Sequence, residues 1–333
     1  MSRSVLCFGE LLLRLGAPGD TRLLQTAVLE WYAGGSEANV AAQLAQLGVG
    51  TRYVTRIPSH AVADGVLAAL RAHGVDCRDT LRGGTRLGSY FVERGAAPRP
   101  LTVIYDREGS AFSELTGDTV DWSTLLAGTA WLHSSGITAG VGRGPADCLA
   151  TAIRAARTHG TRVSLDLNWR PAVWGARDPQ QVMPSLVHGI DLLIGNPAAC
   201  AAMLDIAAPG ADAHARIALA RALRDRFALG RVAITHRVVE SPRRHHFEAL
   251  VLDGATDTVV ESPVWSVDVV DRVGGGDAFA GALLADLVRD VPLAQAVPFA
   301  VAASALKLSV AGDMNRTTRT EIETAVRVRA EQG

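Results

Sequence analysis

The stretch DRVGGGDAFAGALLADLV, residues 271–288, holds the residue types best able to do chemistry in this chain. Gly274, Gly275 and Gly276 permit a sharp turn and a close approach of backbone to ligand. Asp277 follows at once and opens an apolar run that reads as a helix. A helix starting there aims free amides and partial positive charge into the loop, which suits an anion and phosphate above all. The plain alternative is a tight turn capped by Asp277. A second glycine turn into a helix, EWYAGGSEANVAAQLAQLG, offers Gly34, Gly35 and, one turn inside, Asn39. The Asn39 amide both donates and accepts, as a hydroxyl-rich substrate requires. The alternative there is an ordinary loop with Asn39 in solvent.

These turns need a scaffold, and the rest of the chain spells one. Strand-like segments (SVLCFGE, TRYVTRIP, AWLHSSGI, TRVSLDLNW, DLLIGN, RVAITHRV) alternate with helix-like ones over most of the length. That rhythm predicts an α/β fold of three layers, a mainly parallel sheet between helices. The last third predicts short strands, HFEALVLDG and TVVESPVW, before two apolar helices. Residues 11–33 and 85–108 instead alternate apolar and polar positions with no partner helices. They predict a small β-sheet lid made from two insertions, with extra strands on the main sheet's edge as the alternative. With no internal repeat or long linker, residues 1–333 read as a single domain.

Composition removes several function classes. The 333 residues are 48% hydrophobic with a formal net charge of −1, so no global field attracts nucleic acid or an anionic membrane. The N-terminal apolar stretch is broken by Glu10 and Arg14 and lacks a signal-peptide cleavage site, and no segment reaches transmembrane length. Cys7, Cys77, Cys148 and Cys200 are scattered without CxxC spacing, which predicts reduced core residues, a cytoplasmic protein and no structural zinc site. The loop G-x-x-x-x-G-K-[ST] is absent. Gly140, Gly142 and Gly144 in SSGITAGVGRGPADCLATAI have the wrong spacing for a dinucleotide fold. His133 reads as a core histidine and PRRHH, residues 242–246, as a solvated loop.

Taken together, GGSEANVA and DRVGGGDAFAGALL resemble the two signatures of the ribokinase-like (PfkB) carbohydrate kinases. CFGELLLRL, VIYDREGSAFSEL, LHSSGIT, SLDLNWRPAVW and ALKLSVAGDMN resemble the 2-keto-3-deoxygluconate kinase branch, so the resemblance covers nearly the whole chain. It implies ATP-dependent phosphorylation of that sugar acid at its terminal hydroxyl, with magnesium carried in on the nucleotide. In this reading Asp277 is the base, ionised at neutral pH by the helix-end amides, while Gly274, Gly275 and Gly276 stabilise the transferred phosphoryl group. By resemblance Gly35, Asn39, Tyr90, Tyr105, Arg107, Arg170 and Asp313 contact the sugar acid, beside Gly34 and Asn168. By residue type, Arg107 and Arg170 are forks for a carboxylate or phosphate, and the tyrosines are donors on the lid strands.

Two departures bear on the nucleotide. The family's K-x-G-x-x-G is missing, leaving Thr235 and Arg237 in its place. Its N-x-x-E begins at Asn196 but has Ala199 at the acidic position. A kinase for a neutral sugar, or a non-catalytic sugar-acid-binding descendant, therefore stands beside the main reading. A homo-oligomer joined through the lid is also expected.

Overall fold

The computed structural model describes residues 4–332. Nine strands pair into one sheet. Six run parallel in the order β4 (Thr51–Val54), β1 (Val5–Phe8), β9 (Trp131–Ser135), β10 (Arg162–Asp166), β11 (Leu192–Gly195) and β12 (Arg231–Ser241). The antiparallel β13 (Arg244–Asp253) follows, and β14 (Thr258–Glu261) and β15 (Trp265–Asp268) share its far edge. Both faces are buried because alternate side chains point to opposite layers. In β1, Val5 and Cys7 join one core while Leu6 and Phe8 join the other.

One helical layer comprises α1 (Ser36–Gln46), α2 (Ala61–Arg71), α10 (Gly275–Val288), α11 (Leu293–Leu308) and α12 (Arg319–Gln332). The other comprises α3 (Trp122–Leu126), α4 (Gly136–Val141), α5 (Arg143–Thr158), α6 (Pro171–Trp174), α7 (Met183–Val187), α8 (Pro197–Leu204) and α9 (Ala213–Phe227). This is the predicted three-layer arrangement. Helix α10 is apolar on every side and is accordingly buried along nearly its whole length. Gly281 lets it lie close on α1, since a Cβ there would stand 2.7 Å from the Gln43 Cβ. That close approach brings the first turns of the two helices together.

A separate four-stranded sheet has the order β3 (Glu30–Gly34), β2 (Leu12–Gly16), β7 (Ser89–Glu93), β8 (Thr102–Asp106). Its strands pair only among themselves, so they are not extra edge strands of the main sheet. The short β5 (Arg56–Ile57) and β6 (Leu81–Arg82) form a third pair. The four cysteines are free and buried. His133 is a core residue on Ser164 Oγ at 3.1 Å, and burial pulls its pKa down to about 3.

Three local expectations change. The β12–β13 hairpin runs a few residues past the predicted strands RVAITHRV and HFEALVLDG at its outer end, with its tip at Pro242–Arg243. Residues 244–246 of PRRHH therefore belong to β13, and His245 is fully buried rather than solvated, because strand alternation turns it inward. The glycine run containing Gly140 is largely helical, in α4 and α5.

Candidate active site

The parallel strands end on a common rim, where Asp166 closes β10 and Gly195 closes β11. Ligands of open α/β sheets bind at this end. A cavity of about 910 Å³ opens there between the rim, the starts of α1 and α10, and the small sheet. Its walls include Gly35, Asn39, Tyr90, Tyr105, Arg107, Asn168, Arg170, Asn196, Thr235, Arg237, Gly274, Gly276, Asp277 and Asp313. Gly34 and Gly275 lie just behind, at the end of β3 and the start of α10.

Asp277 stands in the first turn of α10, but Gly274, not Asp277, occupies the cap. Gly274 has φ +84°, and a Cβ on it would collide with the Asp313 carbonyl oxygen, so only glycine fits. The Asp277 carboxylate is buried. It accepts hydrogen bonds from Ser36 Oγ (2.8 Å), Asn39 Nδ2 (2.7 Å) and Asn168 Nδ2 (3.4 Å). Burial raises its pKa, opposed by the Asn39 and Ser36 hydrogen bonds. The expected mechanism of ionisation is thereby corrected: side-chain donors, rather than helix-end amides, favour the charged form. Asn39 is committed to Asp277 through its nitrogen, while its Oδ1 is buried and free of protein partners.

Opposite Asp277 the cavity is cationic. Arg237 and Arg272 make no ion pair among the described residues, and Arg170 donates only to the Trp169 carbonyl at 2.9 Å. Arg237 is exposed to cavity water, yet its recess, and then repulsion from Arg272 and Arg170, lower its pKa to about 10. Arg237 and Arg272, held together without a carboxylate, await an anion, whereas Arg170 also feels the charges of Asp166 and Asp277. Thr235 gives its hydroxyl to the Gly195 carbonyl at 3.2 Å. Asn196 caps α8 through its Oδ1 to the Ala199 amide at 3.0 Å, and Ala199 is buried.

The small-sheet side is neutralised rather than free. Arg107 is bonded to Glu10, both buried, so it does not present the open fork expected of it. The Glu10 Oε1 has no protein partner. Tyr90 donates to Asp313, which also pairs with Arg14; a second arm of Arg14 reaches Asp271 at 2.6 Å. Tyr90 and Asp313 therefore spend their polar atoms on the protein. Asp313 lines the cavity with both carboxylate oxygens already taken, by Arg14 of β2 and Tyr90 of β7.

The sequence matches the pattern of the pfkB family carbohydrate kinases over residues 2–320. It is 31% identical over 327 residues to a 2-dehydro-3-deoxygalactonokinase of Haloferax volcanii, covering 98% of each chain. A 2-dehydro-3-deoxygluconokinase of Thermoproteus tenax is 29% identical, covering 93% of this chain and 90% of its own. The crystal structure of 2-dehydro-3-deoxygluconokinase from Thermotoga maritima superposes with a TM-score of 0.94 at 36% identity, over 97% of this chain and 99% of that one. The chain is a pfkB family carbohydrate kinase.

Five residues of the kinase's cavity region escape sequence reasoning: Glu10, Arg14, Ser36, Asp166 and Arg272. Glu10 and Arg14 are the only charges inside an apolar run, a signal that they turn inward. Ser36 is the first helical residue after the second glycine turn, and Arg272 lies two residues before Gly274, where the first begins. Asp166 ends β10 facing the cavity, its pKa pushed up to about 7 by burial and by the charge of Asp277. It consequently holds its proton in the folded kinase between about pH 4 and 7, where the unfolded chain has lost it. Stability must fall as pH rises through that window. Asp166→Asn should flatten this slope, read as Tm against pH for the ligand-free kinase; an unchanged slope would remove Asp166 as its source.

Proposed function

We propose that the kinase transfers the terminal phosphoryl group of ATP to the terminal hydroxyl of 2-keto-3-deoxygluconate, giving the 6-phosphate and ADP. One observation carries the reading: a buried carboxylate at a glycine-lined helix start shares a cavity with Arg237 and Arg272, neither of which has an ion-pair partner among the described residues. Kinases named for 2-dehydro-3-deoxy sugar acids among the relatives support the substrate class.

The chemistry follows from the atoms present. Asp277 accepts hydrogen bonds on both oxygens and retains lone pairs to take the proton of an attacking hydroxyl. The amides of the Gly274–Gly276 turn and the start of α10 receive the phosphoryl group in flight. Arg237 and Arg272 hold the polyphosphate, with Thr235 and Asn196 on the same wall, and Arg170 is left for the carboxylate of the sugar acid. Glu10 Oε1 and Asn39 Oδ1, buried acceptors without protein partners, suit the hydroxyls of a polyol. Magnesium travelling with ATP would screen phosphate charge, and Asp166 is the cavity carboxylate suited to face it. The small sheet covers the sugar and excludes water as a lid.

The pairing of Arg107 with Glu10 favours a second reading, a kinase for a neutral sugar, because it leaves the carboxylate to Arg170. ATP consumption across 2-keto-3-deoxygluconate, its galactonate epimer, fructose and ribose decides. Preference for a sugar acid is expected; turnover of only the neutral sugars would overturn the proposal. Loss of Arg272 should raise the KM for ATP by about 10-fold or more, since a charge-assisted contact to phosphate disappears, with the KM for sugar little changed. Steady-state kinetics of Arg272→Ala checks it.

We also propose pairing of two copies through the outer face of the lid. Trp31, Leu15, Phe91 and Ile104 form one apolar row across all four strands, with Trp31 and Ile104 53% and 51% exposed. Light scattering should show a dimer for the native chain and a monomer for Ile104→Glu.

A further inference from the structure

Lys307 is a charged side chain to which the proposed chemistry gives no task, and it is completely buried. Lysine is almost never found so unless paired. It lies in the last turn of α11, and its Nζ donates to the carbonyls of Asp271 and Val310, each at 3.3 Å. Asp271 is the residue from which the glycine turn departs. Its carboxylate accepts from the Val273 amide (3.1 Å), the Gly312 amide (3.2 Å) and Arg14. The lysine stem packs beneath the turn itself, its Cε 3.1 Å from where a Cβ on Gly274 would stand. Burial lowers the lysine pKa, but the Asp271 and Asp313 carboxylates oppose that.

The local charges balance in pairs. Arg14 and Lys307 face Asp271 and Asp313, all four buried. Taking away the ammonium leaves two carboxylates with one cation directly under a turn that has to receive an anion. It also exposes the carbonyl end of α11, which carries partial negative charge, to the same turn. We propose that Lys307 is a positioning residue for phosphoryl transfer, a tethered cation that holds the entrance to the Gly274–Gly276 turn and offsets the negative charge beneath it. The inference rests on the turn being the phosphoryl-receiving element.

Lys307→Gln keeps a donor for a carbonyl and removes the charge, so it separates the electrostatic role from a packing role. With the best sugar acid and ATP, kcat should fall about 10- to 100-fold, the scale of losing a charge-assisted contact, while the KM for the sugar stays within about threefold. Lys307→Ala leaves a cavity, and ethylammonium should restore several-fold of its turnover over sodium chloride at equal ionic strength. Normal kcat in Lys307→Gln, or a folded, slow Lys307→Ala that ignores ethylammonium, would overturn the proposal. Absence of kinase turnover in the native chain, or normal turnover in Asp277→Asn, would instead strike the reading of the site.

Discussion

Asp277→Asn is expected to lower turnover roughly 100-fold or more while sugar binding survives. The amide cannot take the proton of an attacking hydroxyl, so the barrier rises by the contribution of a general base. The fold should tolerate the change. Asn39 now donates to Asp277 and carries an unpartnered Oδ1 on the same amide, so a flip of that amide pairs it with the new nitrogen. A buried carboxylate whose pKa burial raises is also replaced by a group with no charge to desolvate, so the melting temperature should hold or rise. ADP release gives the rate, and a thermal shift with sugar acid gives the binding. Turnover within a few-fold of the native rate would dismiss Asp277 as the base.

Arg14→Met is expected to destabilise the chain by about 3–5 kcal/mol, because it removes the one cation hydrogen-bonded to two buried carboxylates and leaves only Lys307 facing them. Burial alone would lower the arginine's pKa, but Asp313 and then Asp271 outweigh it and keep the guanidinium charged. Burial already raises the Asp313 pKa against the pull of Arg14, so without that cation Asp313 gains from protonation and the loss should shrink toward acid pH. Denaturant titrations at neutral and mildly acidic pH test this. A loss under about 1 kcal/mol, or one indifferent to pH, would mean that the surroundings already satisfy Asp271 and Asp313.

Much of the scaffold is legible because its signals are local. Alternation in the strand runs and the glycine punctuation before Ser36 and Asp277 each lie within a few residues. The placement of Asp277 and Asn39 around one cavity agrees with what those turns suggest. The partnerships that decide what each side chain is free to do are not local. Arg14 meets Asp271 and Asp313 across 257 and 299 residues, and Arg107 meets Glu10 across 97. No spacing rule reaches that far, so Arg107 reads as an open fork and Arg14 as an interruption. The outer end of the β12–β13 hairpin escapes for another reason. Glycine-free continuity between Thr235 and Leu252 reads as a missing loop motif, whereas physically it is a strand that simply continues.

That continuity shapes how this enzyme can change. On the proposed reading, grip on the donor comes from guanidinium and hydroxyl groups projecting from β12 and from Arg272, each encoded by one codon and replaceable without touching the chain path. The turn proposed to receive the phosphoryl group is the reverse, built from main-chain amides that no codon can swap. Selection can therefore retune the phosphate donor in small steps, toward a shorter nucleotide or an inorganic polyphosphate, while the transfer machinery stays in place. A library confined to positions 235, 237 and 272 is the place to look for such drift.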